Sequence, residues 1–251
     1  MSLIKISVIT VTYNAAATLE RCISSVLSQQ YPHVEYIVVD GDSNDNTKQI
    51  INGYADNIHQ LVSEPDKGIY DAMNKGIRLA KGDVIGILNA DDFFADEQVL
   101  SDIAASFREP EIKILYANLD FIDADNRIVR KWRSGKYKNG KFNLGWMPPH
   151  PTFYCRKELF SELGPYSLDY GSACDYELML RFLRQTPDNQ VSHLDRVIVK
   201  MLTGGVSNSS LANRIGAMGN DLKAMRKNGI RFPLLTILCK PLRKLGQFVK
   251  R

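Results

Sequence analysis

Two adjacent carboxylates, Asp91 and Asp92, follow the apolar run Val84-Ile85-Gly86-Ile87-Leu88 after only Asn89 and Ala90. The run succeeds a turn signal, Lys81-Gly82-Asp83, and reads as a buried parallel strand. Open α/β sheets bind their ligands beyond the carboxyl ends of such strands. Two acids at that edge suit a hard divalent cation with oxygen ligands, and through it a diphosphate. The same pair also fits an N-cap and first-turn carboxylate for a helix expected near 96–107.

Other residues could share that chemistry. Asp175 lies in Cys174-Asp175-Tyr176-Glu177 at the head of a helix pattern, suited to a general base or to a helix cap. Glu177, two residues on, falls on a different face of that helix. His150 follows Pro148-Pro149, which set an extended backbone, and is as suited to structure as to function. Asp40 closes the run Val34 to Asp40, and Asp42 to Thr47 carries turn and cap residues. Asp71, Asn74 and Lys75 are spaced to share one helix face, with Ile69, Met73, Ile77 and Ala80 on the other. Gly135 to Lys141 fits GxxxxGK, but Phe142 stands where a phosphate loop needs Ser or Thr. It reads as a mobile basic loop near the acceptor.

The elements that must hold these residues alternate. Strand patterns near 4–12, 34–40, 58–63 and 84–89 interleave with helix patterns near 16–29, 45–55, 69–80 and 96–107. That order implies a parallel sheet with right-handed crossovers. Strands near 113–122 and 127–132 come next, then helices near 156–163 and 175–185, a strand near 191–202 and helices to the end. The expected fold is α/β: a Rossmann-like, mainly parallel sheet flanked by helices, with a C-terminal helical tail. One domain is expected over 1–221, with a donor half to about 125, an acceptor half from 126 and a basic tail over 222–251.

Composition narrows the class. The chain has 251 residues, 44% of them hydrophobic, enough for one large core. The four cysteines form no CxxC and fit a reducing cytoplasm. The start carries no signal-peptide pattern, and no run of 18 apolar residues is present to span a bilayer. Net charge is +4 but uneven: residues 222–251 hold nine Lys or Arg and no acid. The other 221 residues hold the remaining 23 basic groups against all 28 acids, a balance of −5. Interleaved with Leu, Ile and Phe, the tail reads as an interfacial helix broken at Pro241, with a helix packed on the domain as the alternative. It suits an anionic membrane surface, and nothing points to nucleic acid.

Four motifs occur in order: Ile6 to Asn14, Val38-Val39-Asp40-Gly41-Asp42-Ser43-Asn44-Asp45-Asn46-Thr47, Ser63 to Gly76, and Asn89-Ala90-Asp91-Asp92. Over about residues 4–200 this order resembles family 2 glycosyltransferases, inverting enzymes of the GT-A fold, and a bacterial subgroup that builds surface polysaccharides. The resemblance implies a nucleotide sugar, with a UDP-sugar expected, and Mn²⁺ or Mg²⁺. It gives the base-binding turn to Val11, Thr12 and Tyr13, the uracil or ribose to Asp40, and the donor to Asp71 and Asn74. Asp91 takes the ribose or sugar and Asp92 the metal. His150 falls near the diphosphate or acceptor, and Asp175 matches the catalytic base. The usual pattern has an aspartate where this chain has Gly41, so the nucleobase stays open and Asp42 is a candidate substitute. The processive QxxRW motif is missing, which favours transfer of one sugar to a saccharide or lipid-linked acceptor. A peripheral place on the inner face of the plasma membrane is expected. The alternatives are a sugar-phosphate nucleotidyltransferase, whose Gly-rich loop is missing here, and a non-catalytic sugar- or lipid-binding scaffold.

Overall fold

A computed structural model describes residues 3–203 and 211–248. Strands β1 (Ile6–Thr12), β2 (Val34–Asp40), β3 (Gln60–Ser63) and β4 (Val84–Ile87) pair in parallel in the order β3-β2-β1-β4. Helices α1 (Leu19–Leu27), α2 (Thr47–Gly53) and α3 (Ile69–Leu79) connect them. All seven residues of β1 are buried because both faces are covered. Ile6 and Val8 join the core that includes Leu19, Ile23 and Val26 of α1, while Ile9 and Val11 join Met73 and Ile77 of α3.

The sheet continues beyond β4 through strands of mixed direction. These are β5 (Asp92–Phe94), β6 (Ile114–Ile122), β7 (Ile128–Trp132), β8 (Tyr154–Arg156) and β9 (Val191–Leu202). The path runs β4-β8-β6-β9-β5, with β7 also on β6. β6 and β9 are parallel over their length, while β8, β5 and β7 pair antiparallel. Most paired residues are still in parallel register, as the sequence implies. β5 and β8 are additions: three residues each is too short to print a periodicity. Helix α4 (Val99–Phe107) covers this part of the first core.

A second core forms under the C-terminal half. Helices α5 (Glu158–Leu163), α6 (Cys174–Gln185), α7 (Leu211–Lys227) and α8 (Pro233–Leu245) enclose it, with Trp146, Phe142 and Tyr116 at its centre. The Gly135–Lys141 stretch is tied to it: Tyr116 donates to Gly135 O at 2.8 Å, and Tyr137 to Leu183 O at 3.0 Å. The boundary expected at residue 222 falls inside α7. The break expected at Pro241 is not present. α8 runs through it, because packing on α7 and on the 3-10 turn Lys141–Leu144 outweighs the loss of one helical donor.

Candidate active site

β4 ends at Ile87, and the chain turns over Asn89 so that Asp92 N donates to Asn89 O at 2.9 Å. The turn throws Asp92 onto β5, paired with Met201 of β9, rather than onto a helix; α4 is entered from Gln98. The cap reading of the acid pair therefore does not hold for Asp92. Asp92 is 1% exposed, and neither carboxyl oxygen has a hydrogen-bond partner. Burial pushes its carboxyl well above the usual range, with the charges of Asp91 and Asp175 adding to the effect.

Beside it, Asn89 turns its amide toward His150, with Nδ2 3.3 Å from Nε2, and leaves its own Oδ1 unpaired. His150 opens a 3-10 turn, His150–Thr152, that follows extended Pro149. The turn is fixed by Thr152, whose Oγ1 donates to Ala117 O at 3.1 Å and also contacts Pro149 O at 2.9 Å.

Asp175 comes from the other half of the molecule. It lies in the first turn of α6, whose cap position is Ala173, so it is not the cap. Its Oδ2 accepts from the Tyr70 hydroxyl at 3.0 Å, and its Oδ1 is unpaired. Burial, and after it the Asp175 charge, push the Tyr70 hydroxyl far up, so it stays a donor. Glu177 is no competitor: Arg181 Nε binds its Oε1 at 3.0 Å, and Asn228 adds a bond at 3.2 Å. Arg181 also donates to the carbonyls of Leu163, Gly164 and Pro165, closing the end of α5.

Tyr70 and Asn74 lie one turn apart on α3. Asn74 donates to Tyr166 O and accepts from Tyr166 N, both at 2.9 Å. The Tyr70 and Tyr166 rings lie 5.5 Å apart. Of the face expected to meet the donor, Asn74 is thus engaged with the backbone of Tyr166. Lys75 bonds Pro65 O at 2.8 Å and Glu64 at 2.9 Å, and Asp71 accepts from Lys67 N at 3.1 Å. Ile69, expected on the apolar face, is exposed. It precedes the part of α3 that touches the sheet.

At the carboxyl end of β1, the parallel neighbour of β4, Val11 and Thr12 are buried and Tyr13 is exposed. Asp40 is saturated: Ser43 N donates to it at 3.1 Å and Ser63 Oγ at 2.7 Å, with Ser43 Oγ a third donor. Asp42 has φ of 64° and pairs with Lys48. Asp66 occupies the space beside Gly41. A Cβ on Gly41 would lie 2.5 Å from Asp66 Oδ2 and 3.4 Å from Tyr13 Cδ2. Tyr13, Gly41 and Asp66 form a small shelf at the β1–β2 edge.

A hard cation fits the donor set at Asp92. Two unpaired carboxyl oxygens, with Asp91 and the free Oδ1 of Asn89 beside them, are oxygen ligands lacking a partner. Among the described residues no three His, Cys, Asp or Glu converge into a full cage. That suits an ion held by one or two carboxylates and completed by substrate phosphates.

Residues 7–164 match the family model described as glycosyl transferase family 2. A Mycobacterium bovis protein named a PGL/p-HBAD biosynthesis glycosyltransferase is 32% identical over 178 residues, covering 70% of this chain and 68% of its own. An Escherichia coli protein named UDP-Glc:alpha-D-GlcNAc-diphosphoundecaprenol beta-1,3-glucosyltransferase WfgD is 30% identical over 193 residues, 76% of this chain and 73% of its own. The mannosyltransferase PcManGT of Pyrobaculum calidifontis, solved with GDP-Man and Mn2+, superposes with a TM-score of 0.69 and 18% identity, covering 97% of this chain and 74% of that one. The four ordered motifs, the mixed sheet and the acidic turn at its edge thus have one common explanation: the chain belongs to glycosyl transferase family 2 and has the GT-A fold.

Proposed function

We propose that the chain is an inverting glycosyltransferase of cell-surface polysaccharide synthesis. It moves one sugar from a nucleotide sugar, a UDP-sugar by preference, to a saccharide or lipid-linked acceptor. It works in the cytoplasm at the inner face of the plasma membrane, with a donor half to about residue 125 and an acceptor half beyond it. The carrying observation is a set of unpaired carboxyl oxygens on acids from opposite halves, both oxygens of Asp92 and Oδ1 of Asp175, with the two acids close enough for one charge to act on the other. The E. coli relative's named substrates support the donor and a lipid-linked acceptor, and the Pyrobaculum complex supports a divalent ion.

In this reading Asp92, with Asp91 beside it, holds Mn²⁺ or Mg²⁺, which when bound neutralises charge on the leaving diphosphate. Val11, Thr12, Tyr13 and Asp66 line the nucleoside end, while Asp40 and Asp42 shape the loop around them. Asn89 and His150 border the diphosphate. Asp175 accepts the acceptor hydroxyl's proton at Oδ1, while Tyr70 fixes Oδ2. A base outside the leaving-group site favours direct displacement, and direct displacement inverts the anomeric centre.

The test is a screen of nucleotide sugars with Mn²⁺, followed by NMR of the product. Asp92→Ala should lower transfer by about 10²–10³-fold. Asp175→Asn should lower kcat by about 10²–10⁴-fold with donor KM little changed. Full activity of Asp92→Ala in EDTA would refute the metal role. Retention of the donor's anomeric configuration would refute the mechanism.

A further inference from the structure

α8 is docked by one face and bare on the other. Thr236 and Ile237 are buried, and Thr236 Oγ1 donates to Asn143 O at 2.8 Å. Lys240 reaches Asp221 at 2.6 Å, with its ammonium 3.8 Å from the centre of the Tyr176 ring. At about 100° per residue, these three side chains occupy an arc of roughly 100°. Leu234, Leu235, Leu238, Leu242 and Leu245 occupy an opposite arc of similar width, and each is 53–69% exposed. Seven of the fifteen large apolar side chains exposed on the described surface lie between residues 232 and 248. So dense a stripe is not scatter; it is a surface built to meet something apolar.

Charge says what that is. Residues 222–251 carry nine basic groups and no acid, and the nearest acid, Asp221, is taken up by Lys240. Lys250 and Arg251 lie outside the described residues. Arg231, Arg243 and Lys244 are exposed; Arg243 and Lys244 lie on the docked side of α8 rather than beside the leucines, and Arg243 Nε donates to Leu144 O at 2.8 Å. An isologous contact between two copies would set one basic tail against another. A bilayer with anionic headgroups accepts both parts, leucines at the acyl boundary and cations at the phosphates.

We propose that the leucine face of α8 seats the protein on an anionic bilayer as a fixed part of the acceptor half, not as a trailing anchor. Gly145 has φ of 73°, and a Cβ there would lie 2.6 Å from Lys240 N, so the segment before His150 presses directly on the α8 backbone. Lys240 covers Tyr176, the neighbour of Asp175. The bilayer contact is thereby coupled to the element that carries the acid. The purpose assigned to this face rests on the lipid-linked reading of the acceptor, but its test needs no acceptor.

Full-length protein should co-sediment at low salt with vesicles of phosphatidylglycerol and phosphatidylcholine in equal parts. Binding should fall at least tenfold with pure phosphatidylcholine, and weaken as salt rises. Leu238→Glu/Leu242→Glu should bind at least tenfold more weakly while melting at the wild-type temperature and hydrolysing free UDP-sugar at the wild-type rate. Loss of vesicle binding with hydrolysis intact supports the docking face whatever the acceptor proves to be. The proposal is overturned by a double variant that binds as tightly as wild type, or by wild-type protein that ignores the vesicles. Self-association that the double variant abolishes would also overturn it, making the face an interface between copies.

Discussion

Asp92 is a buried acid whose carboxyl oxygens have no hydrogen-bond partner, an arrangement that costs stability. Asp92→Asn should therefore stabilise the metal-free protein at neutral pH by about 1–3 kcal/mol, or several degrees in Tm. The sign follows from the raised carboxyl. Folding favours its protonated form, so stability is lost as pH climbs from the ordinary carboxylate range toward the raised value. The gain from the variant should shrink toward zero in acid, where wild-type Asp92 is protonated whether folded or not. Calorimetry of metal-free samples across pH checks both points. Tyr70→Phe removes the hydroxyl that holds Asp175. We expect kcat to fall about tenfold, the scale of one hydrogen bond, with donor KM and the affinity for UDP unchanged; equal loss in both parameters would mark a packing defect instead. The acids were legible as types: adjacent carboxylates after an apolar run, or one acid heading a helix. Their partners were not. Tyr70 and Asp175 are 105 residues apart, and no local pattern announces such a pair. Asp66 had one usable signal, the glycine at position 41 that leaves space for it.

At the scale of elements, the long buried strands were legible and the short ones were not. The expected strand over 191–202 agrees with β9 residue for residue, and that over 34–40 with β2. β5 and β8 exist because a neighbour offers an edge, which is tertiary information. α8 gives the same lesson from the other side, since docking kept it whole across Pro241. Gly145 tests that docking. Gly145→Ala meets both a positive φ and the α8 backbone. It should destabilise by about 1–3 kcal/mol. Amide exchange should quicken in α8 and stay slow in β1 and β2; a uniform change would mean that α8 is not held there.

Over the whole molecule, the C-terminal residues complete a core rather than trail from it. Deleting 232–251 uncovers Tyr176 and removes Ile237 from the second cluster. Loss of one buried isoleucine alone costs about 2 kcal/mol, so scanning calorimetry should show Tm lowered by about 4–8 °C for a chain of this size. No described helix is long and apolar enough to cross a membrane. The alternation of strand and helix made the first half of the sheet legible. The return of β8 between β4 and β6 was not, because nothing local fixes which strand a chain revisits. The bond pair between Asn74 and Tyr166 has a practical consequence for building hybrids of related enzymes. A graft that joins a foreign C-terminal half after residue 125 brings its own acid and its own loop, but leaves both side chains that orient them on α3. Such junctions should fail at the seam unless the host's Tyr70 and Asn74 suit the newcomer. The workable cut lies before residue 69, so that lock and key travel together.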